Sequence, residues 1–137
     1  MTDRPRPQRG ILDTSVVIHL DELDSSQLPL EVAVTALTMA ELAAGPHATT
    51  DPAERGRRQD RLQRAEAAFD PLPFEGEAAR AYGRLYAAVV AAGHKARGTR
   101  AVDLLIAAIA SSLEVPLYTR NPDDFRPIQD IVDIIVV

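Results

Sequence analysis

The sequence predicts an α/β domain built on a central, mostly parallel five-stranded sheet with helices on both faces. Short apolar runs alternate along the chain with longer segments of helical periodicity, and strands separated by helices favour right-handed crossovers and parallel pairing. A chain of 137 residues, 46% of them hydrophobic, can bury one core. We therefore expect a single domain at residues 10–137, preceded by a flexible Pro- and Arg-rich segment at residues 1–9.

The first half of the chain contains two predicted strands and three helices. The apolar residues 10–12 predict the first strand, and the Asp-Thr-Ser that follows supplies favoured N-cap residues for a helix at 16–20. The β-branched run at 32–35 predicts the second strand. A short helix follows at 38–44 and ends at Gly-Pro, and a proline begins the next helix at 52–69.

The second half predicts three more strands and two helices. Phe74 marks a weak third strand, and an alanine-rich segment at 77–92 has apolar residues at spacings of three and four, which indicates a helix. The helix at 100–113 is apolar nearly all round, so it is expected to be buried. Residues 115–119 and 131–135 predict the fourth and fifth strands.

Composition excludes several classes of function. Fifteen Lys and Arg against twenty Asp and Glu give a net charge of −5, so any nucleic-acid site must be local. The absence of cysteine excludes disulfides, thiolate zinc sites and cysteine nucleophiles. The longest apolar stretches are about half of what a membrane span needs, and no apolar secretory segment follows the start. We expect a cytoplasmic protein without membrane contact.

Acidic residues follow several of the predicted strands. Asp13 comes directly after the first strand, Glu41 one helical turn after the second, and Asp103 in the first turn of the buried helix. Asn121 and Asp124 follow the fourth strand. Because ligands collect at the carboxyl ends of parallel strands, these side chains are expected to meet at one end of the sheet.

Each acid also has a simple structural interpretation, as a helix cap, a first-turn charge or a turn residue. Gathering them has an energetic cost, because two unit charges about 5 Å apart repel by roughly 3 kcal/mol at an effective dielectric of about 20. A bound cation would relieve it. Oxygen ligands without nearby His or Cys suit Mg²⁺ or Mn²⁺, and such ions promote phosphodiester hydrolysis.

At these positions the chain resembles the PIN-domain ribonucleases and, among them, the VapC-type toxins of bacterial toxin–antitoxin pairs. The resemblance covers roughly residues 10–137 and depends on an ordered set of short motifs. These are Leu12-Asp13-Thr14-Ser15-Val16, Thr38-Met39-Ala40-Glu41-Leu42 with Gly45 after it, Asp103-Leu104-Leu105-Ile106-Ala107-Ala108, and Tyr118-Thr119-Arg120-Asn121 followed by Asp124-Phe125.

The resemblance implies a PIN-like nuclease domain that cleaves RNA with Mg²⁺, or with Mn²⁺ as a substitute. Carried over by position, the metal-binding and catalytic acids are Asp13, Glu41 and Asp103. Many relatives have Asp where Asn121 stands, while others have an acid just before the Phe, as Asp124 is here; Asp124 is expected as the fourth acid, with Asn121 as a polar neighbour. Thr14 and Thr119 match supporting positions, with a helix cap and ordinary strand propensity as their alternative roles.

Two groups of basic residues flank these acids. Five arginines crowd the helix at 52–69 (Arg55, Arg57, Arg58, Arg61 and Arg64), where a solvated face paired with neighbouring acids is favoured over contact with phosphate. Arg97 and Arg100 lead directly into Asp103. We expect these two to hold substrate phosphate or to stabilise the carboxylate.

The leading hypothesis is therefore a metal-dependent endoribonuclease toxin. The resemblance further implies a cognate VapB-type antitoxin as partner and a homodimer. One alternative is a non-catalytic PIN-fold binding module, although none of the four acids is missing. Another is an Asp-based phosphoryl-transfer domain. A haloacid-dehalogenase-like enzyme would need Asp where Ser15 stands, and a receiver domain would need a Lys after the last strand, where this sequence has none.

Overall fold

A computed structural model of the protein describes residues 5–95 and 99–137. Within these ranges one sheet contains four strands in the order β2-β1-β3-β4, and every neighbouring pair is parallel. The strands are β1 (Arg9–Leu12), β2 (Glu31–Ala33), β3 (Leu117–Thr119) and β4 (Ile134–Val136). The predicted α/β class and parallel sheet are confirmed, but the sheet has four strands rather than five.

In the part of the chain that the structure describes, five α-helices connect and cover the strands at the positions that the sequence predicts. They are α1 (Thr14–Ile18), α2 (Ala36–Ala44), α3 (Pro52–Ala68), α4 (Gly76–Ala91) and α5 (Thr99–Leu113). Side-chain oxygens of Asp13, Thr35 and Asp51 cap α1, α2 and α3 by accepting backbone N–H hydrogen bonds. No helix in the described ranges combines the length and apolar character needed to cross a membrane.

The predicted third strand at Phe74 is wrong. The chain is extended there only far enough for Leu72 to form an isolated parallel bridge with Thr35, and the Phe74 side chain is 37% exposed. Pro71 and Pro73 flank Leu72, and proline has no N–H to donate to a neighbouring strand. The bridge therefore cannot extend into a ladder.

The two faces of the sheet bury separate apolar clusters. Ile11 and Leu117 point to one face, where they pack with the buried residues of α4 and α5. Leu12 and Tyr118 point to the opposite face and pack with α1, α2 and α3. This alternation follows from the two-residue period of a strand, and it confirms the prediction of helices on both faces.

β1 and β3 are neighbours in the middle of the sheet, and strand order reverses between them. After β1 the chain passes through α1 to the outer strand β2, whereas after β3 it leaves toward the other edge and β4. Loops that diverge in this way leave a crevice at the carboxyl ends of the two strands. Of the acids predicted to act together, Asp13 and Asp124 follow these two ends, whereas Glu41 and Asp103 come from α2 and α5.

The flexible segment predicted at residues 1–9 remains a prediction, since residues 1–4 lie outside the described part of the chain. The Arg6 guanidinium donates hydrogen bonds to the carbonyls of Leu28 and Ser25, at 2.8 and 2.7 Å. The Pro7 carbonyl accepts a hydrogen bond from the Leu30 N–H at 3.1 Å.

Gly10 in β1 allows the Tyr118 ring to approach the backbone. A Cβ at this position would lie 2.4 Å from Tyr118 Cε1 and 2.9 Å from Pro29 Cγ. We expect Gly10→Ala to lower the free energy of unfolding by about 1–3 kcal/mol, the usual cost of overpacking a core. Urea unfolding followed by circular dichroism measures this loss.

Gly83→Ala is the matched control. A Cβ at Gly83 meets no atom within 4 Å, and the residue is exposed on α4. This change should raise the free energy of unfolding by about 0.5–1 kcal/mol through helix propensity. Equal urea midpoints for the two variants would show that Tyr118 does not constrain β1.

Candidate active site

Asp13 lies at the carboxyl end of β1 and caps α1. Its side chain is 3% exposed, and Oδ1 accepts hydrogen bonds from the Ser15 hydroxyl at 2.6 Å and the Val16 N–H at 3.1 Å. Burial raises the pKa of this carboxyl, although hydrogen bonds from Ser15, Thr119 and Val16 act in the opposite direction. Asp13 is thus a helix cap and also a buried acid at the crevice.

Glu41 enters the same region from α2 and is oriented by a threonine of α1. The Thr14 hydroxyl donates a short hydrogen bond to Glu41 Oε1 and lies 3.0 Å from the hydroxyl of Thr38, which is fully buried. Glu41 itself is half-buried. These contacts connect the start of α1 to the first two turns of α2.

Asp103 occupies the second turn of α5 and is the most strongly perturbed acid. Its pKa is raised to about 7, first by burial and then by the negative charges of Asp124, Asp13 and Glu41. The Arg100 guanidinium opposes this rise. The four acids predicted from the sequence therefore lie within electrostatic range of one another.

The residues after β3 complete this end of the sheet. Asp124 lies in a 3-10 helix at Pro122–Ile128, and of the three acids its charge contributes most to the raised pKa of Asp103. The exposed Asn121 precedes this helix, and its backbone N–H donates to the buried Thr119 hydroxyl at 3.0 Å. Thr119 in turn hydrogen-bonds Asp13.

Of the two predicted basic residues, Arg100 is found beside Asp103, where its charge favours the ionised carboxylate. Arg97 lies outside the described residues. The predicted role of either arginine toward substrate phosphate remains a prediction.

Ser15 is a site residue that the sequence interpretation missed. Its hydroxyl donates to Asp13 Oδ1 and accepts the Arg120 N–H at 3.1 Å, so it joins the residues that follow β1 and β3. Its position two residues after an N-cap Asp was a usable signal, because short hydroxyl side chains bond to groups two residues away. The sequence interpretation included Ser15 in the first motif and treated it as a cap residue, but gave it no role in the site.

The donor set suits a hard divalent cation. Four carboxylates lie at one end of the sheet, and the nearby side chains that contact them are hydroxyls; oxygen ligands of this kind favour Mg²⁺ or Mn²⁺. Among residues 5–95 and 99–137, no three His, Asp or Glu side chains are close enough together to coordinate one ion as they stand. The charges of the carboxylates affect one another, but their oxygens do not surround a common point.

The sequence as a whole matches one family. The family model for the PIN domain matches residues 11–130, which include all four acids. The chain belongs to the PIN domain family. The resemblance predicted from the short motifs is thereby confirmed.

Similar members of this family are named as VapC ribonucleases. The PIN domain described here is 34% identical over 134 residues to Ribonuclease VapC5 of Mycobacterium tuberculosis, covering 96% of each chain. It is 30% identical over 126 residues to Ribonuclease VapC of Rickettsia bellii, covering 88% of this chain and 91% of that protein.

A solved structure agrees with the fold. The crystal structure of VapBC-5 from M. tuberculosis, a member of the VapBC family of toxin–antitoxin systems, matches with a TM-score of 0.81. The two chains are 34% identical, and the match covers 96% of this PIN domain and 98% of that chain.

The raised pKa of Asp103 makes the stability of the metal-free PIN domain depend on pH. The folded state binds this proton more tightly than the unfolded chain, so stability should fall as pH rises from about 4 to about 7. We expect Asp103→Asn to remove this dependence and to gain about 1–2 kcal/mol at pH 8, less than the full shift implies because the side chain is partly exposed.

Melting temperatures measured in EDTA between pH 4.5 and 8 check this expectation. Asp123→Asn is the control, since Asp123 is exposed and pairs with Arg126. A parallel pH profile for wild type and Asp103→Asn would contradict the electrostatic coupling.

Proposed function

We propose that this protein is a divalent-metal-dependent endoribonuclease and the toxin of a toxin–antitoxin pair. The observation that carries the proposal is the group of four acids at one end of the sheet, in which burial and then the charges of the other three acids raise the pKa of Asp103 to about 7. Carboxylates in such a group repel one another, and a bound cation reduces this repulsion. The ribonuclease names of the similar VapC proteins support RNA as substrate.

The proposed metal ligands are Asp13, Glu41, Asp103 and Asp124, which also form the proposed catalytic set. Mg²⁺ is the proposed cofactor, with Mn²⁺ as a substitute. A bound ion of this class polarises the phosphodiester and lowers the pKa of a water molecule.

The chain's own hydroxyl and amide groups orient this set. The Ser15 hydroxyl and the Val16 N–H fix one oxygen of Asp13, and Thr14 fixes one oxygen of Glu41. Hydrogen bonds of this type set the direction of a carboxylate and are as much a part of a metal site as its ligands. Thr119 supports Asp13, while Asn121, Arg97 and Arg100 are proposed to contact substrate or its surroundings.

The proposed protein partner is a VapB-type antitoxin. The support is the 34% identical chain of VapBC-5, a member of the VapBC family of toxin–antitoxin systems. We further propose a homodimer and a cytoplasmic location, where an RNA-cleaving toxin meets its substrate.

Cleavage of a mixed RNA by purified, antitoxin-free protein tests the proposal. We expect fragments with Mn²⁺ or Mg²⁺ and none in EDTA, and we expect Asp103→Asn and Glu41→Gln to reduce cleavage to background. Metal-independent cleavage, or equal activity of these variants, would contradict the proposed site.

Asp124 and Asp123 provide a matched pair within one helix. Asp124 raises the pKa of Asp103, whereas Asp123 pairs with Arg126. Asp124→Asn should lose cleavage and Asp123→Asn should retain it. If Asp124→Asn keeps wild-type activity and Asn121→Ala does not, then Asn121 completes the site instead.

Thr14 gives a test of orientation rather than ligation. We expect Thr14→Val, which removes the hydroxyl and keeps the shape, to lower metal affinity or activity about 10- to 100-fold. Thr14→Ser retains the hydroxyl and should restore most of the activity. Metal titrations of cleavage rate for both variants measure this effect, and an active Thr14→Val protein would refute it.

A further inference from the structure

A cavity of about 370 Å³ adjoins the carboxylate group on the side of α3. Thr14 and Glu41 line it from α1 and α2, and Arg58, Arg61 and the arginine-paired Glu54 line it from α3. The cavity is therefore shared between the proposed catalytic set and the arginine-rich helix. This contact between an acidic site and a basic helix has no role in the mechanism proposed above.

Most arginines of α3 are already engaged. The exception is Arg61, which is half-buried and forms no hydrogen bond or ion pair with any residue that the structure describes. The engaged arginines and their partners are Arg55 with the Pro46 and Thr49 carbonyls, Arg57 and Arg58 with Glu54, and Arg64 with Asp21 and Asp60. The predicted solvated, paired face thus accounts for the helix except at Arg61.

Arg58 is fixed at the wall of the same cavity. Its Nε donates to Glu54 Oε1 at 3.0 Å and its Nη1 donates to the Gly45 carbonyl at 2.9 Å. Within the described ranges Nη2 has no partner. One turn of α3 therefore presents a fixed guanidinium and an unpaired one, three residues apart, on the same side as Glu41.

RNA that approaches the carboxylates needs positive charge close to them, because its phosphates and the acids repel each other. The chain carries a net charge of −5, so this charge must be supplied locally. A guanidinium that is half-buried and unpaired is suited to the purpose, since it gives up no internal ion pair on binding phosphate.

We propose that Arg61, with Arg58 beside it, binds a backbone phosphate of the RNA in the cavity next to Glu41. The inference rests on the proposed ribonuclease function and adds a substrate-positioning subsite to it. The subsite contacts phosphate rather than bases, so its contribution is independent of RNA sequence.

The test measures RNA binding in the cleavage-deficient Asp103→Asn background. A fluorescein-labelled, random-sequence single-stranded RNA of 20 nucleotides is titrated by anisotropy with Mg²⁺ at several KCl concentrations. Arg61→Gln should weaken binding about fivefold at low salt and reduce the slope of log affinity against log salt by about 0.7. Arg61→Lys keeps the charge and should keep most of the slope.

Arg84→Gln is the control with the same change in net charge. Arg84 is exposed on α4 and lines a different cavity with Glu114 and Asp133, at the other end of the sheet. The Arg84→Gln change should leave both the RNA affinity and its salt slope unchanged. If Arg61→Gln fails to fold, Arg61→Met keeps the apolar stem and gives the same readout.

Three outcomes overturn the subsite. If Arg61→Gln and Arg84→Gln give equal salt slopes of RNA binding and the wild type cleaves RNA, the subsite is refuted. The proposed ribonuclease function is not affected by that result. If Arg61→Gln weakens binding of a poly-glutamate peptide but leaves the salt slope of RNA binding unchanged, the cavity binds an acidic protein segment rather than RNA phosphate. Absence of both RNA binding and RNA cleavage in the wild type removes the subsite together with the proposed function.

Discussion

Repulsion among carboxylates at the ends of β1 and β3 is the constraint on which the rest of this site depends. Asp13 is buried, and burial together with the charges of three other acids raises the pKa of Asp103 to about 7. An arrangement of this kind lowers the stability of the metal-free protein at neutral pH. Apolar packing on both faces of the sheet has to offset that cost.

The fold accommodates these charges with fixed hydroxyl and amide donors. Asp13 receives hydrogen bonds from Ser15 and from the first turn of α1, and Glu41 receives one from Thr14. Such donors stabilise an ionised carboxylate without neutralising it. They fix the direction of individual carboxylate oxygens at this end of the sheet.

Only some of the nearby arginines contribute positive charge to the acids. Arg100 lies close enough to Asp103 to favour its ionised form. Most arginines of α3 are instead paired with other acids or with backbone carbonyls, such as Glu54 and Asp60 among the acids and Gly45 among the carbonyls. The cavity beside Glu41 joins the two regions through Arg58 and Arg61. All four acids lie within the residues that the PIN domain family model matches, and so do the arginines of α3.

The sequence by itself determined the parallel α/β class, the helices and the grouping of four acids at one end of the sheet, because periodicity, caps and strand ends are local signals. Tertiary structure decided the rest. Prolines on both sides of Leu72 limited the expected strand at Phe74 to one bridge, and Ser15 acquired its role only when β3 brought the Arg120 N–H beside it. Whether an arginine of α3 is paired or free depends on residues such as Asp21 and Gly45, which folding brings to it from distant sequence positions. Pairing of this kind cannot be read from spacing alone.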